Sequence, residues 1–142
     1  MKFLKPWLPV FLWCFLIFFL SSIPGLKTSL GFGDLVLRKI AHMTEYFVLT
    51  LLLYRALKKS FYMPAQRILF IAMLLSFVYA LSDEYHQSFV PNRSGNIIDV
   101  LIDSTGILFA YILYREFSAV NEKDVFPSGE YEINNIRNKQ KF

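Results

Sequence analysis

Cysteine is nearly absent. The chain of 142 residues has one, Cys14, inside an apolar run. No internal disulfide can form, and the lone thiol says little about redox compartment. No glycine-rich loop of the kind that cradles phosphate is present, nor a compact metal motif such as H-E-x-x-H. Internal repeats and low-complexity tracts are missing too. Basic residues exceed acidic ones by 4, with a pI near 9.2, yet they form no continuous stripe and instead bracket apolar runs. Nucleic acid is therefore not expected as a partner. The most informative absence is of charge itself: Trp7 to Ile23 carries none, and neither does Ile68 to Ser82.

What fills those stretches is apolar. Hydrophobic residues make up 55% of the chain and aromatics 18%, with 15 Phe and a mean hydropathy of +0.41. Soluble domains average about 45–50% apolar, and here the excess is clustered. A bilayer core about 30 Å thick needs roughly 17–25 apolar residues in a helix. The pattern is that of a small polytopic membrane protein, one domain in length.

Four spans are expected. The first is Trp7 to Ile23, preceded by Lys2 and Lys5 and ended by Pro24-Gly25. A cleaved signal peptide shares the basic start and apolar centre, but no A-x-A site follows and the run is long for one. The second is Leu37 to Leu57, polar in its first half. The third is Ile68 to Gln87, apolar first and charged last, and the fourth is Ile97 to Tyr114, charged first. Pro91 and Gly95 make a turn between the last two. The stretch Gly25 to Arg38 is expected in the interface plane. These features define an all-α integral membrane domain over 1–116, four transmembrane helices in an antiparallel bundle. Residues 117–142 are expected to be a polar, mobile cytoplasmic tail that buries too little to order itself.

Four spans place the N-terminus, the second loop and the tail on one side, with 11 of the 15 Lys and Arg residues. Lys and Arg favour the cytoplasmic face, so both termini are expected there, in a multi-pass cell-membrane protein. The six acids before Glu116 (Asp34, Glu45, Asp83, Glu84, Asp99 and Asp103) then fall on the outer half, as do His42 and His86. Ser21 and Ser22 arrive at the same level. At about 100° per residue, Lys39, His42 and Tyr46 share a stripe with Glu45 beside it. Asp83, His86 and Gln87 share another with Glu84 at its edge, and Asp99 and Asp103 lie one turn apart. The charge therefore gathers into one polar chamber at the outer leaflet.

These residues also carry a resemblance. "RKIAHMTEYFVLTLLLYRAL" resembles the K-x-x-H-x-x-E-Y element of the VanZ-like family. "SDEYHQSFVPNRSGNIIDVLIDSTG" resembles its D-E-x-x-Q…P-x-R…D-x-x-x-D-x-x-G element. Matching positions are Lys39, His42, Glu45, Tyr46, Asp83, Glu84, Gln87, Arg93, Asp99, Asp103 and Gly106, within a likeness that runs roughly from Ser21 to Tyr114. The resemblance implies a small bacterial membrane protein of the cell envelope. The family name comes from a protein linked to teicoplanin (glycopeptide antibiotic) resistance. No settled reaction comes with it.

Each residue has a bland reading beside the functional one. The planar fork of Arg93 suits a phosphate or carboxylate ligand, or an ion pair with Asp99 or Glu84 that pins the loop. Lys39 fits a ligand site, or snorkelling to headgroups. His42 and His86 suit acid–base work, although His86 near a helix C-terminus also suits the dipole. Asp99, three residues after Asn96, fits a helix cap, whereas Asp103 lies deeper and is a functional candidate by default. Gly106 and Ala110 read as close helix packing. His42, Glu84 and Asp103 are the catalytic candidates. Lys39, Glu45, Tyr46, Asp83, His86, Gln87, Arg93 and Asp99 are the binding candidates. No cofactor is expected from any motif, but Asp83, Glu84, Asp99 and Asp103 with His42 or His86 form an oxygen-rich set of the kind that holds Mg²⁺, Ca²⁺ or Mn²⁺.

The leading expectation is an outward-facing pocket that binds an anionic or lipid-linked envelope molecule. Its enzymatic form adds His42 or a carboxylate as general base. The alternatives are a small proton-coupled transporter, for which four helices are few without oligomerisation, and a non-catalytic bundle supporting an envelope partner. Nothing in the pattern fixes an oligomeric state.

Overall fold

The structure, a computed structural model, describes residues 4–24, 32–93 and 95–125. They form four α-helices: α1 (Leu8–Ser21), α2 (Phe32–Ser60), α3 (Ala65–Gln87) and α4 (Ile97–Val125). No strand occurs among the described residues. By packing, the chain divides into residues 1–111 and residues 112–142. The first unit holds α1, α2, α3 and the opening of α4, and with them every candidate site residue. The second carries α4 on to Val125.

Helix α1 has 14 residues, shorter than the run expected for it. Pro9 stands in its first turn, where a missing N–H is tolerated. The helix is extended by turns at both ends: Trp7 N donates to the Leu4 carbonyl at 3.1 Å, and Ile23 N to the Leu20 carbonyl at 3.3 Å. Helix α2 starts at Phe32 rather than Leu37. From Phe32 onward the segment expected in the interface plane is helical and continuous with the second span, while residues 25–31 lie outside the described residues. Gly33 weakens a helix by only about 1 kcal/mol relative to Ala, and no proline interrupts Phe32 to Met63. Helix α4 runs through Arg115 and Glu116 to Val125, so the boundary drawn at 116 falls inside it. Loss of apolar character ends a buried face, not the backbone ladder, and Arg, Glu, Ala and Lys are good helix formers. The rest of the expected tail, 126–142, lies outside the described residues.

Close packing in the first unit comes from small residues. Ala72, Ser76 and Ala80 recur every four positions on α3 and each is 0% exposed, which lets backbones approach. α3 packs chiefly against α2, where Thr50 Oγ1 lies 2.8 Å from the Tyr46 carbonyl, to which it donates, and 3.0 Å from Ser76 Oγ. Gly106 meets the backbone of α2: a Cβ there would collide with the Met43 carbonyl. Ala110, one turn on, is fully buried. These contacts agree with the packing role read from the spacing. Trp7 Nε1 donates to Ser60 Oγ at 2.9 Å, fastening the start of α1 to the end of α2.

α3 and the Ile97–Glu116 stretch of α4 are long and apolar enough to cross a membrane. At about 1.5 Å per residue, the 23 residues of α3 span about 35 Å. Only 28% of each apolar window is buried inside the protein. A core helix of a soluble protein would hide most of that surface. Here Phe70, Val78, Leu101 and Phe109 are among the side chains left facing outward.

Candidate functional site

The end of α1, the first half of α2, the end of α3 and the opening of α4 meet around two groups of polar side chains. The first group lines a cavity of about 230 Å³: Arg38, Lys39, His42, Glu84, Gln87, Asn92, Arg93, Asp99, Ile102 and Asp103. The second lies along the seam between α1 and α3, where Ser21, Ser22, Asp83, His86 and Gln87 meet. Gln87 belongs to both.

The loop between α3 and α4 is built to stand close. Asn92 adopts φ 62°, a left-handed conformation that asparagine tolerates better than most residues. A Cβ at Gly95 would strike the Glu84 carbonyl, so only glycine lets the loop fold back on the end of α3. The Glu84 carboxylate accepts the Asn96 N–H at 3.0 Å. Asn96 in turn caps α4, its Oδ1 accepting the Ile98 N–H at 3.1 Å, as a cap residue does for the N2 position. Capping thus falls to Asn96 and not to Asp99, because the shorter reach to N2 belongs to the residue that precedes the helix.

Asp99 is ion-paired with Lys39 across the mouth of the cavity, each side chain about a third exposed. This pairing replaces the free snorkelling considered for Lys39. Arg93 makes neither of the ion pairs considered for it. Its Nη2 donates to the Leu20 carbonyl at 3.3 Å, and its buried Nε has no partner among the described residues. α1 ends at Ser21, so the Leu20 carbonyl lacks an α-helical partner and accepts instead from the Ile23 N–H of the flanking turn and from Arg93. Burial first and the charge of Arg38 second lower the proton affinity of Arg93, while Asp83, Glu84 and Glu45 oppose them. A guanidinium nonetheless stays charged.

The floor is more buried. Asp103 is 1% exposed, and among the described residues neither carboxylate oxygen has a hydrogen-bond partner. Its Oδ1 stands 3.6 Å from His42 Nδ1, which is also unpartnered. Among the described residues, His42, Glu84 and Asp103 offer ligand atoms within 4.8 Å of one another.

The seam differs. Asp83 Oδ2 accepts from Ser21 Oγ at 2.8 Å and from Gln87 Nε2 at 2.9 Å, although Oδ1 is left without a partner. His86 Nε2 lies 3.1 Å from Ser22 Oγ, and its ring packs on Phe18 with centroids 4.5 Å apart. Tyr46 is fully buried with an unpartnered hydroxyl. Glu45 contributes its backbone carbonyl to Trp13 Nε1 at 2.9 Å. Neither Glu45 nor Tyr46 lines the cavity.

Of the candidates, then, Lys39, His42, Glu84, Gln87, Arg93, Asp99 and Asp103 come together in the cavity, and Asp83 and His86 in the seam. Sequence reasoning passed over Arg38, Asn92 and Ile102. The run "PNRSGN" held a signal for Asn92, since Asn directly after Pro favours turns. Arg38 precedes Lys39 and shares its basic character. Ile102 carries no chemical signal.

No curated protein and no solved structure gives a significant match. The family model described as VanZ/LLP1 matches residues 6–119, which take in α1, α2, α3, most of α4 and every residue of the cavity and the seam. With that much of the chain covered, it belongs to the VanZ/LLP1 family.

Proposed function

We propose that this chain is a multi-pass cell-membrane protein whose cavity faces outward and binds the anionic group of a lipid-linked cell-envelope molecule. Four antiparallel spans would place both termini in the cytoplasm. With its flanking turns, α1 reaches about 30 Å, and the Lys and Arg bias of the loops supports that orientation. One observation carries the binding reading: Arg38, Lys39 and Arg93 stand at one cavity, and the Arg93 Nε there has no partner among the described residues. Guanidinium groups suit phosphate and carboxylate geometry. An apolar groove of about 610 Å³ runs beside α1 from Pro9 to Phe19, with Val48 and Leu52 opposite, and suits a hydrocarbon tail. In the enzymatic form of this reading, His42 transfers a proton with Asp103 beside it and Glu84 assisting. The family likeness extends the proposal to glycopeptide resistance. Proton-coupled transport is the second reading, favoured by the unpartnered Asp103 and His42 at depth.

The test uses protein in lipid nanodiscs and a polyprenyl phosphate as probe. Arg93→Gln should weaken binding by about tenfold or more, the scale of one charge-assisted hydrogen bond, at normal membrane abundance. Unchanged binding would overturn the reading. Orientation is checked with Pro91→Cys in a Cys14→Ser background. An impermeant thiol reagent should label it from outside intact cells, and labelling only after lysis would reverse the topology.

A further inference from the structure

The charges around the cavity raise a difficulty. Arg38, Lys39 and Arg93 face Glu84, Asp99 and Asp103, so three cations meet three carboxylates. Lys39 and Asp99 satisfy each other at the mouth. An anionic headgroup passing them would meet two carboxyl groups deep in the floor, which offer it no positive charge. Asp103 there is 1% exposed with both oxygens unpartnered, and His42 Nδ1 lies unpartnered 3.6 Å from one of them. Buried carboxylates are ordinarily hydrogen-bonded, paired or bound to metal.

We propose that His42, Glu84 and Asp103 hold a divalent transition-metal ion of the Mn²⁺ or Zn²⁺ class at the floor of the cavity, which receives the anionic group. Three observations converge on it. The ligand atoms already lie within 4.8 Å of one another. Four ligands at about 2.0–2.2 Å from a zinc ion stand roughly 3.4 Å apart, close to the His42–Asp103 separation, so modest side-chain movement closes the set. One imidazole with two carboxylates is borderline in softness, which favours Mn²⁺ or Zn²⁺ over an all-oxygen Ca²⁺ or Mg²⁺ site. Three protein ligands also leave a coordination position open for an exogenous oxygen.

The other groups first considered as ligands each already have a side-chain partner. Asp83 is held by Ser21 and Gln87, Asp99 by Lys39, and His86 by Ser22. Glu84 keeps one oxygen on the Asn96 N–H, which orients the carboxylate in the way outer-sphere partners orient metal ligands. A bound dication would be the largest local charge in the site and would give its floor an attraction for anions. His42 then serves as a ligand rather than as a free base.

This inference rests on the reading of the cavity as an anion site, and the experiment separates the two. Full-length protein in nanodiscs, stripped with chelator, is titrated with Mn²⁺ followed by electron paramagnetic resonance, and with Zn²⁺ followed by metal analysis after desalting. The expected result is one ion per chain. Asp103→Asn and Glu84→Gln should each weaken it at least about tenfold. Gln at 84 can still accept the Asn96 N–H, so its loss of metal would not reflect a collapsed loop. Asp99→Asn and Arg93→Gln should retain the ion. Metal bound with no polyprenyl phosphate bound would uphold the ion and sink the anion reading. Phosphate bound by wild-type protein with no stoichiometric metal would do the reverse. Full retention of metal by both Asp103→Asn and Glu84→Gln would also overturn the assignment.

Discussion

Two groups of buried polar side chains lie a few residues apart in this molecule and are treated in opposite ways. Along the seam, Asp83 takes hydrogen bonds from Ser21 and Gln87 through one oxygen, and His86 meets Ser22. In the cavity, Asp103 is buried at least as deeply and takes none. A buried polar group without a partner costs about 1–3 kcal/mol, and more if charged. The seam therefore reads as structure, fixing α1 against α3 where small side chains and lipid offer little specificity. The cavity reads as a place where stability is forgone, as at binding sites, for groups kept ready for something else.

That contrast gives expectations that differ in size. Gly106→Val should have the largest effect. It drives side-chain atoms into the Met43 backbone, which cannot yield as a flexible side chain would, and overpacking of this kind costs about 1–3 kcal/mol or more. Membrane abundance should fall sharply, and wild-type abundance would show that α4 does not approach α2 so closely. Ser21→Ala comes next. It removes one of the two bonds to a buried carboxylate oxygen, a loss of about 1.5–3 kcal/mol, read as a lower melting midpoint in detergent with metal binding retained. Equal midpoints would take the seam out of the stability account. Asn96→Ala removes the cap of α4 and should cost about 1 kcal/mol. Its signature is faster amide exchange in the first turn of α4, and unchanged exchange would assign the cap elsewhere.

The two regions also differed in how far the sequence revealed them. Which ends of the helices are polar was plain, because Lys39, His42, Asp83, Glu84, Asp99 and Asp103 sit beside uncharged runs. Periodicity then placed Asp83 and Gln87 on one face and Lys39 and His42 on another, as they are found. Partners were not legible. Helical spacing says which way a side chain points, not what it meets, so the Lys39–Asp99 pair and the Leu20 carbonyl beneath Arg93 needed three dimensions. Asp99 was weighed as a cap although Asn96, named with it, fills that role. The ends of α2 and α4 were missed for one physical reason. Hydropathy marks where burial stops, whereas a helix stops where its backbone ladder does, and neither Phe32–Leu37 nor Arg115–Val125 contains a proline.

The smallest expected effect tests the central claim most directly. Asp103→Asn keeps the shape of the side chain and removes a buried carboxyl group whose oxygens take no hydrogen bond from the described residues. In chelator-treated protein its melting midpoint should equal or exceed that of the wild type, although metal and polyprenyl phosphate binding are lost. A midpoint several degrees lower would mean that Asp103 holds the helices together, as the seam does, and would contradict the reading of the cavity as a binding site.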